Sequence, residues 1–141
     1  MKKEKSCGAV TYYVNDSEIL YLIEHMALGH YSLPKGHVEE NESEVETAIR
    51  EIKEETNLDV ELDDCFRHVI TYSPYPGIIK DVVFFTAKVV SNQVINQISE
   101  VEEIIFLSLD SALKILTYET DKEVLMKADT YLKSKHKLKD K

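Results

Sequence analysis

The sequence has no tryptophan, two cysteines, three prolines and four glycines among its 141 residues. Cys7 and Cys65 stand alone, without a CxxC pair, so free thiols are expected instead of a disulfide or a zinc site. No apolar run approaches the roughly 18 residues that a membrane span needs. Repeats and low-complexity linkers are absent too, so residues 1–141 are predicted to form one domain.

Positive charge is also scarce. The 17 lysines and arginines face 26 aspartates and glutamates, which gives a formal net charge of −9. Nucleic acid would be repelled by most of such a surface, so general DNA binding is not expected. An acidic protein can still act on an acidic substrate when metal cations stand between them. The sequence favours a cytoplasmic protein without a membrane partner, and it does not indicate the oligomeric state.

Apolar patterns alternate between strands and helices along the chain. A helix is predicted over residues 43–56, where Val45, Ala48, Ile49 and Ile52 follow the spacing of one buried face. The β-branched and aromatic residues predict strands over 7–13, 18–24, 66–72, 81–90 and 102–109. Two final helices are expected, capped by Asp110 and by Thr120 or Asp121, followed by a frayed basic tail over about 134–141. The predicted class is α/β (α+β).

The first predicted helix carries unusual negative charge. The stretch GHVEENESEVETAIREIKEETNL, residues 36–58, contains eight glutamates beside one arginine and one lysine. Helical periodicity places Glu44, Glu51, Glu54 and Glu55 in one sector beside the apolar face. A solvated acidic face is the ordinary interpretation of such a run. Like charges at i and i+4 destabilise a helix unless cations neutralise them, however, which favours a site for hard divalent ions.

The spacing of this stretch resembles the Nudix box, Gly-x5-Glu-x7-Arg-Glu-apolar-x-Glu-Glu-x-Gly-apolar. Gly36, Glu42 and the run Arg50-Glu51-Ile52-Lys53-Glu54-Glu55 fit that pattern. One position departs, because Asn57 stands where the family has its second glycine. That residue follows the helix, where the backbone often turns left-handed, and asparagine is the next-best residue for such a turn. We therefore expect the substitution to cost little function.

The resemblance implies a fold and a chemistry. Nudix domains have a mixed β-sheet between α-helices and hydrolyse a nucleoside diphosphate linked to another group, using Mg²⁺ or Mn²⁺. By motif position, Glu51, Glu54 and Glu55 are expected to be catalytic metal ligands, with the backbone carbonyl of Gly36 as a further oxygen. Glu42 and Arg50 are expected to support these ligands structurally, because an arginine fork can hold carboxylates in place.

A wider resemblance covers nearly the whole chain. The segments SCGAV, YSLPKGHVE, KDVVFFTAKV and EVEEIIFLSLDSAL look like the asymmetrical bis(5′-nucleosyl)-tetraphosphatase branch. Tyr31 departs from the tryptophan that is usual before the box in that branch. The branch implies asymmetrical cleavage of diadenosine tetraphosphate to ATP and AMP. By the same resemblance Lys35 and His37 would contact the polyphosphate, although a loop lysine and a turn histidine are the ordinary interpretations.

Residues outside the box are predicted from the substrate's needs. Glu100, in a loop before the last strand, aligns with the branch's loop carboxylate and is predicted to be a base or additional ligand; a solvent-facing acid is the alternative. Lys80 is a further cation for the phosphates. Tyr72 and Phe84 are predicted to contact the base, with Tyr31 and Tyr75 as further aromatic candidates, although each of these residue types is more often found in a core.

Other functions stay open at this point. Within the family the alternatives are a pyrophosphohydrolase of RNA 5′-triphosphate ends, for which RNA would be a partner, and a sanitising hydrolase of oxidised purine nucleoside triphosphates. A nucleotide-sensing Nudix module would normally have lost box acids, and here all three are present. A purely structural acidic domain would bind no metal specifically. A small-molecule nucleotide is therefore the expected partner.

Overall fold

A computed structural model describes residues 2–90 and 101–137. Seven strands and three helices occur in these ranges, and their bounds are β1 Lys2–Asn15, β2 Glu18–Met26, β3 Tyr31–Ser32, β4 Lys35–His37, α1 Glu44–Thr56, β5 Val60–Tyr72, β6 Ile78–Val89, β7 Val101–Leu107, α2 Leu109–Ile115 and α3 Glu119–Lys135. The predicted strands and helices are all present. The YSLPKG segment, expected as a loop, contributes the short strands β3 and β4.

The strands form one mixed sheet. Its main order is β3-β2-β1-β6-β5, with β4 paired to β1 and β7 paired to β2. Strands β1 and β6 run parallel, and the other pairs are antiparallel. The β1–β2 hairpin closes between Asn15 and Glu18, with Asp16 at a positive φ of 57°. The mixed-sheet fold is confirmed.

Helices cover both faces of the sheet. Helix α1 packs through Ala48 and Ile52 against one face, whereas α2 and α3 cover the other. Adjacent strand residues point to opposite faces, so Phe84 belongs to the core beneath α2 and α3, and Phe85 belongs to the core beneath α1. Two covered faces explain why the central strands are almost continuously apolar.

Helix α1 begins with a capping box. The Ser43 hydroxyl accepts from the Glu46 N–H, and the Glu46 carboxylate accepts from the Ser43 N–H. At the other end Asn57 is left-handed, with φ 59° and ψ 18°, as predicted. The predicted burial of Ile49 is wrong, since that side chain is 40% exposed. The buried face is rotated towards Glu55, which is only 4% exposed.

Three predicted boundaries of the C-terminal helices differ from those in the structure. Ser108, not Asp110, caps α2, and its side chain accepts from the Ser111 N–H. Helix α3 begins at Glu119, and Tyr118 at its N-cap makes no side-chain cap hydrogen bond, so neither predicted cap is used. Lys135 is still helical, so α3 continues into the predicted tail, while residues 138–141 lie outside the described ranges. No described helix is long and apolar enough to span a membrane.

Candidate active site

Strand β4 brings the first box residue against the box helix. Gly36 pairs with Cys7 of β1, and a Cβ added to Gly36 would lie 2.0 Å from Cδ of Glu51. Packing is equally close at the next pair of β1 and β4, Gly8 with Lys35, where a Cβ on Gly8 would lie 1.9 Å from the Pro34 carbonyl oxygen. Both positions need glycine because neighbouring groups occupy the space of a side chain. The backbone of residue 36 is therefore held directly beside the Glu51 carboxylate.

Arg50 connects the acids of the box. Its Nε lies 2.6 Å from Oε2 of Glu42, and its Nη2 lies 3.0 Å from Oε1 of the same carboxylate. The Nη1 group donates to Glu51 Oε2 at 2.7 Å and to Glu54 Oε1 at 3.1 Å. A further bond joins Nη2 to the His37 carbonyl oxygen at 2.9 Å. The guanidinium thus ties the loop, the helix and strand β4 together, the supporting position that the motif implied for it.

Glu42 is fixed from several sides. Besides Arg50, the Thr47 hydroxyl and the Glu39 N–H donate to its Oε1, at 2.7 Å and 3.0 Å. These donors lower the pKa of Glu42 to about 2, and the bonds from Arg50 have the largest effect. The carboxylate is therefore ionised at neutral pH and holds Arg50 in its forked orientation.

The three candidate metal ligands differ in exposure. Glu54 is half exposed, the Glu51 side chain is mostly covered, and Glu55 is buried on the side of α1 that faces the sheet. All three lie on consecutive turns of one rigid helix, since Glu54 and Glu55 follow Glu51 by three and four residues. The helix therefore presents a graded set of carboxylates from the sheet to the solvent.

The donor chemistry of this cluster fits a divalent ion. Carboxylates and a backbone carbonyl are the oxygen ligands that Mg²⁺ and Mn²⁺ prefer, and the Gly36 backbone can approach an ion because it has no side chain. In the structure Glu51 and Glu54 point to Arg50. A carboxylate keeps acceptor capacity beside its bonds to Arg50, so these two side chains could bind an ion while Arg50 holds them.

A second acidic group is a poorer metal site. Asp63, Asp64 and Cys65 are the group in the described ranges whose ligand atoms lie within 4.8 Å of one another. Asp63 already accepts hydrogen bonds from the Tyr131 hydroxyl at 2.5 Å and from Lys135 Nζ at 2.8 Å. Its pKa is lowered by these donors, which outweigh burial. Asp63 therefore serves to hold α3 against β5.

A pocket of about 470 Å³ opens beside the box. Its lining combines aromatic, basic and acidic side chains, namely His30, Lys35, Ile70, Tyr72, Pro74, Tyr118, Thr120 and Asp121. Lys35 immediately precedes Gly36, so β4 lies between the pocket, on the α3 side of the sheet, and the glutamate cluster, on the α1 side. The Tyr72 side chain is 37% exposed, and Tyr118 is exposed as well. A flat ligand can therefore contact their rings.

Two lysines stand near this pocket. Lys80 pairs with Tyr72 between β6 and β5. Burial, and then the charge of Lys35, lower the pKa of Lys80. Two neighbouring ammonium groups repel each other unless an anion lies between them. Lys35 and Lys80 thus form a positive region at the edge of the pocket.

Another cleft, of about 420 Å³, contains Lys3, Lys5 and Arg67. Two of these cations already bind one acid, because Arg67 donates to Glu44 at 2.9 Å through both Nε and Nη2 and Lys5 pairs with the same carboxylate. Much of its positive charge is therefore neutralised within the protein. The pocket beside the box contains the tyrosines.

The structure does not bring every predicted residue to this region. Phe84 is 0% exposed and packs in the core under α2 and α3, so the prediction that it contacts a base is wrong. Its strand is central and covered on both faces, which leaves no open side for a ligand. His37 is exposed, does not line the pocket, and contributes its carbonyl to Arg50. Glu100 lies outside the described residues.

Six pocket residues were missed from the sequence, namely His30, Ile70, Pro74, Tyr118, Thr120 and Asp121. His30 precedes β3, and Tyr118, Thr120 and Asp121 lie at the start of α3. No local pattern marks them, since Tyr118 is more than 80 residues from Lys35 and only the packing of α3 against the sheet joins them. A helix beginning without a side-chain cap is the one local signal that could have indicated unusual surroundings for Tyr118.

The NUDIX domain model matches residues 5–128, and the chain belongs to the Nudix family. It is an enzyme of the Nudix pyrophosphohydrolase type. An asymmetrical bis(5′-nucleosyl)-tetraphosphatase of Sus scrofa is 29% identical over 140 residues, covering 91% of this chain and 95% of the relative. The crystal structure of a C. elegans Ap4A hydrolase binary complex has a TM-score of 0.84 and 28% identity, covering 93% of this chain and 98% of that one. The resemblance to this branch is confirmed.

An 8-oxo-(d)GTP phosphatase of Mycolicibacterium smegmatis is 36% identical over a shorter stretch of 95 residues. That match covers 67% of this chain and 29% of the relative. The tetraphosphatase similarity extends along almost the full length of both chains, including the pocket residues at the start of α3.

Proposed function

We propose that this single Nudix domain hydrolyses diadenosine tetraphosphate asymmetrically, releasing ATP and AMP by attack of water on phosphorus. The observation that carries this proposal is the position of Lys35. This residue lines the tyrosine pocket and directly precedes Gly36, whose backbone touches the Glu51 carboxylate. Because Lys35 and Gly36 are neighbours on one strand and face opposite sides of the sheet, the polyphosphate of a nucleoside in the pocket would pass around β4 to reach the box glutamates.

The proposed metal ligands are Glu51, Glu54, Glu55 and the carbonyl of Gly36. A bound Mg²⁺ or Mn²⁺ supplies positive charge to the phosphate oxygens and lowers the pKa of a bound water. Arg50 and Glu42 position the carboxylates and are not expected to touch the substrate. Glu100, which precedes β7 in the sequence, is proposed as a base or a further ligand.

The remaining phosphates need cations that the box does not supply. Lys35 lies close enough to Lys80 for its charge to lower the pKa of Lys80. A polyphosphate between them would relieve their repulsion and gain two attractive interactions. His37, on the same strand as Lys35 but outside the pocket, is proposed to contact phosphates farther along the substrate.

The base is proposed to lie in the pocket against Tyr72 and Tyr118. Aromatic side chains offer flat apolar faces to a purine at little conformational cost, and stacking on a protein aromatic contributes about 1–3 kcal/mol per base in nucleic-acid complexes. The pocket volume of about 470 Å³ lies in the range of small-ligand sites. One nucleoside can bind there while the polyphosphate extends past Lys35.

Chromatography of the products tests the proposal. Diadenosine tetraphosphate with Mg²⁺ should give equal amounts of ATP and AMP, and excess EDTA should abolish turnover until Mg²⁺ or Mn²⁺ is restored. Two ADP molecules would contradict asymmetrical cleavage, and full activity in excess chelator would contradict the metal site.

The second candidate function is hydrolysis of an oxidised purine nucleoside triphosphate, which the similarity to the 8-oxo-(d)GTP phosphatase favours. The same box would serve that reaction. Measuring kcat/KM for 8-oxo-dGTP and diadenosine tetraphosphate under identical conditions separates the two. A higher kcat/KM for the oxidised nucleotide would replace the tetraphosphatase proposal.

A further inference from the structure

The pocket contains a buried acid that neither the box nor the phosphate contacts explain. Asp121 lies in the first turn of α3, is 3% exposed, and lines the pocket together with Tyr72 and Tyr118. Its Oδ2 has no hydrogen-bond partner in the described part of the structure. A buried carboxylate oxygen without a donor is costly, and because less than 1 Å² of Oδ2 is exposed, a ligand in the pocket can supply that donor only after a small movement of the surrounding side chains.

Two groups around Asp121 favour its charged form, while burial opposes it. The Leu33 backbone N–H donates to the carboxylate, and Lys35 lies near enough to act on it electrostatically. Burial has the larger effect and raises the pKa of Asp121. One hydrogen bond from the protein leaves acceptor capacity on a carboxylate that can take several. The ligand group that completes the site must therefore be a hydrogen-bond donor.

A cation is a poor match for this site. Among the described residues that line the pocket, Asp121 is the one acidic side chain, and Lys35 belongs to the same lining. Hard divalent ions usually require several oxygen ligands, and a neighbouring ammonium opposes their binding. A neutral N–H donor avoids both difficulties.

We propose that Asp121 selects the base of the substrate by accepting a hydrogen bond from the exocyclic amino group of adenine. This inference rests on the proposed function, because it identifies the base that occupies the pocket. A ring lying against Tyr72 or Tyr118 presents its edge to the other walls, and Asp121 supplies an acceptor on one of them. Hypoxanthine carries a carbonyl in place of the amino group and has its donor at N1, so at the position that faces Asp121 an acceptor replaces the donor.

The decisive variant is Asp121→Asn. The Leu33 N–H still requires an acceptor, so the amide oxygen should face Leu33 and the amide NH₂ should face the pocket. The acceptor offered to the base then becomes a donor, which matches hypoxanthine and opposes adenine. We expect wild type to favour diadenosine over diinosine tetraphosphate by about 10- to 100-fold in kcat/KM. The variant should reverse the order.

Asp129→Asn is the matched control. Asp129 is also buried on α3, but it accepts from the Tyr21 hydroxyl at 2.5 Å and does not line the pocket. This variant should keep the wild-type ratio of the two substrates even if its stability falls. An Asp121→Asn ratio equal to that of wild type would overturn the inference and leave Asp121 a structural link between α3 and Leu33.

The ribose hydroxyls are the other donors that a nucleotide offers. Bis(2′-deoxyadenosine) tetraphosphate tests them, since it keeps the amino group. Suppose that removing the 2′-hydroxyl lowers kcat/KM in wild type but not in Asp121→Asn, and that the preference between adenine and hypoxanthine does not reverse. That result would assign Asp121 to the sugar and overturn base recognition.

Calorimetric titration with AMP and IMP tests the pocket without turnover. If wild type binds AMP more tightly than IMP and Asp121→Asn reverses this order, base recognition is supported. This holds even if diadenosine tetraphosphate is not hydrolysed, because only the proposed function then fails. Asymmetrical hydrolysis with equal AMP and IMP affinities has the opposite meaning, because the proposed function then holds and the role of Asp121 is wrong.

Discussion

The backbone of Gly36 touches the carboxylate of Glu51. A Cβ at position 36 would lie 2.0 Å from Cδ and 2.1 Å from Oε1 of that side chain. Real atoms do not approach so closely, so a side chain at position 36 would displace the Glu51 carboxylate from its present place. The box glycine is explained here by close approach, since Gly36 is not among the residues with positive φ.

Gly36→Ala should therefore move the Glu51 side chain or separate β4 from α1. We expect kcat to fall at least about 100-fold, since displacement of a metal ligand removes charge stabilisation in the transition state. Steady-state kinetics with saturating Mg²⁺ measures the loss. Thermal unfolding of Gly36→Ala and of the double variant Gly36→Ala/Glu51→Ala provides the control. Shortening Glu51 should recover part of the lost stability but no activity, and a fully active Gly36→Ala would contradict the contact.

The second prediction concerns Glu54 and Glu55. Either Glu54→Gln or Glu55→Gln should lower kcat at least about 100-fold while the protein stays folded, because each change removes one charge from a preorganised set of ligands. Glu46→Gln is the matched change on the same helix. Glutamine also serves in a capping box, so that variant should keep nearly full activity. Unchanged rates in both ligand variants would show that the ligands are misassigned.

The third prediction concerns the residue that departs from the family pattern. Asn57 is left-handed at φ 59°, and its N–H donates to the Lys53 carbonyl at 2.8 Å. Glycine accepts the same conformation and keeps the same backbone bond, so Asn57→Gly should retain activity and nearly all stability. A β-branched residue is strained there, and Asn57→Val should lower the free energy of unfolding by about 1–3 kcal/mol. Lost activity in the glycine variant would reveal a function of the asparagine side chain.

The chemistry of the Nudix box could be predicted from the sequence because the residues of the box lie close together along the chain. Gly36, Arg50 and Glu51 lie within 16 positions, and helical periodicity alone places the acids together. The exact rotation of α1 could not be predicted in this way. Ile49 fits the apolar stripe but lies at its edge, beyond the sheet, while Glu55 at the other edge is covered. Periodicity identifies a face, and tertiary packing decides where that face is centred.

The pocket could be predicted only in part, because its walls are distant in the sequence. Tyr72 was found as an aromatic residue near a strand end, but Tyr118 and Asp121 reach it only when α3 packs on the sheet. The prediction that Phe84 contacts a base was wrong for a different reason. Its strand lies between two covered faces, and alternation along a strand does not reveal that both faces are buried.

The fourth prediction concerns acid stability. Hydrogen bonds from Arg67, and then from Lys5, lower the pKa of Glu44 to about 2, whereas an unfolded glutamate titrates near about 4.3. A depressed folded pKa stabilises the protein above the unfolded value, and this contribution is lost as the pH falls through the folded value. The stability advantage of wild type over Glu44→Gln should therefore be full above about pH 5 and shrink towards pH 2. Urea unfolding at several pH values measures it.

Glu40→Gln is the control for this comparison, since Glu40 is exposed in the loop before α1. Its difference from wild type should change much less over the same range. A Glu44→Gln difference that stays constant from pH 6 to pH 2 would show that the contacts with Arg67 and Lys5 do not perturb Glu44 in solution.

The last prediction concerns substrate contacts outside the box. Tyr72 and Tyr118 line the pocket, and Lys80 lies beside it, so Tyr72→Ala, Tyr118→Ala and Lys80→Ala should each raise KM for diadenosine tetraphosphate more than they lower kcat. Such a change is expected when an interaction equally strong in the ground and transition states is removed. Tyr75→Ala is the matched control, because Tyr75 is 69% exposed near the same strand end but does not line the pocket. It should leave both constants nearly unchanged. A loss confined to kcat in the tyrosine variants would place these rings at the reacting phosphates and not at the base.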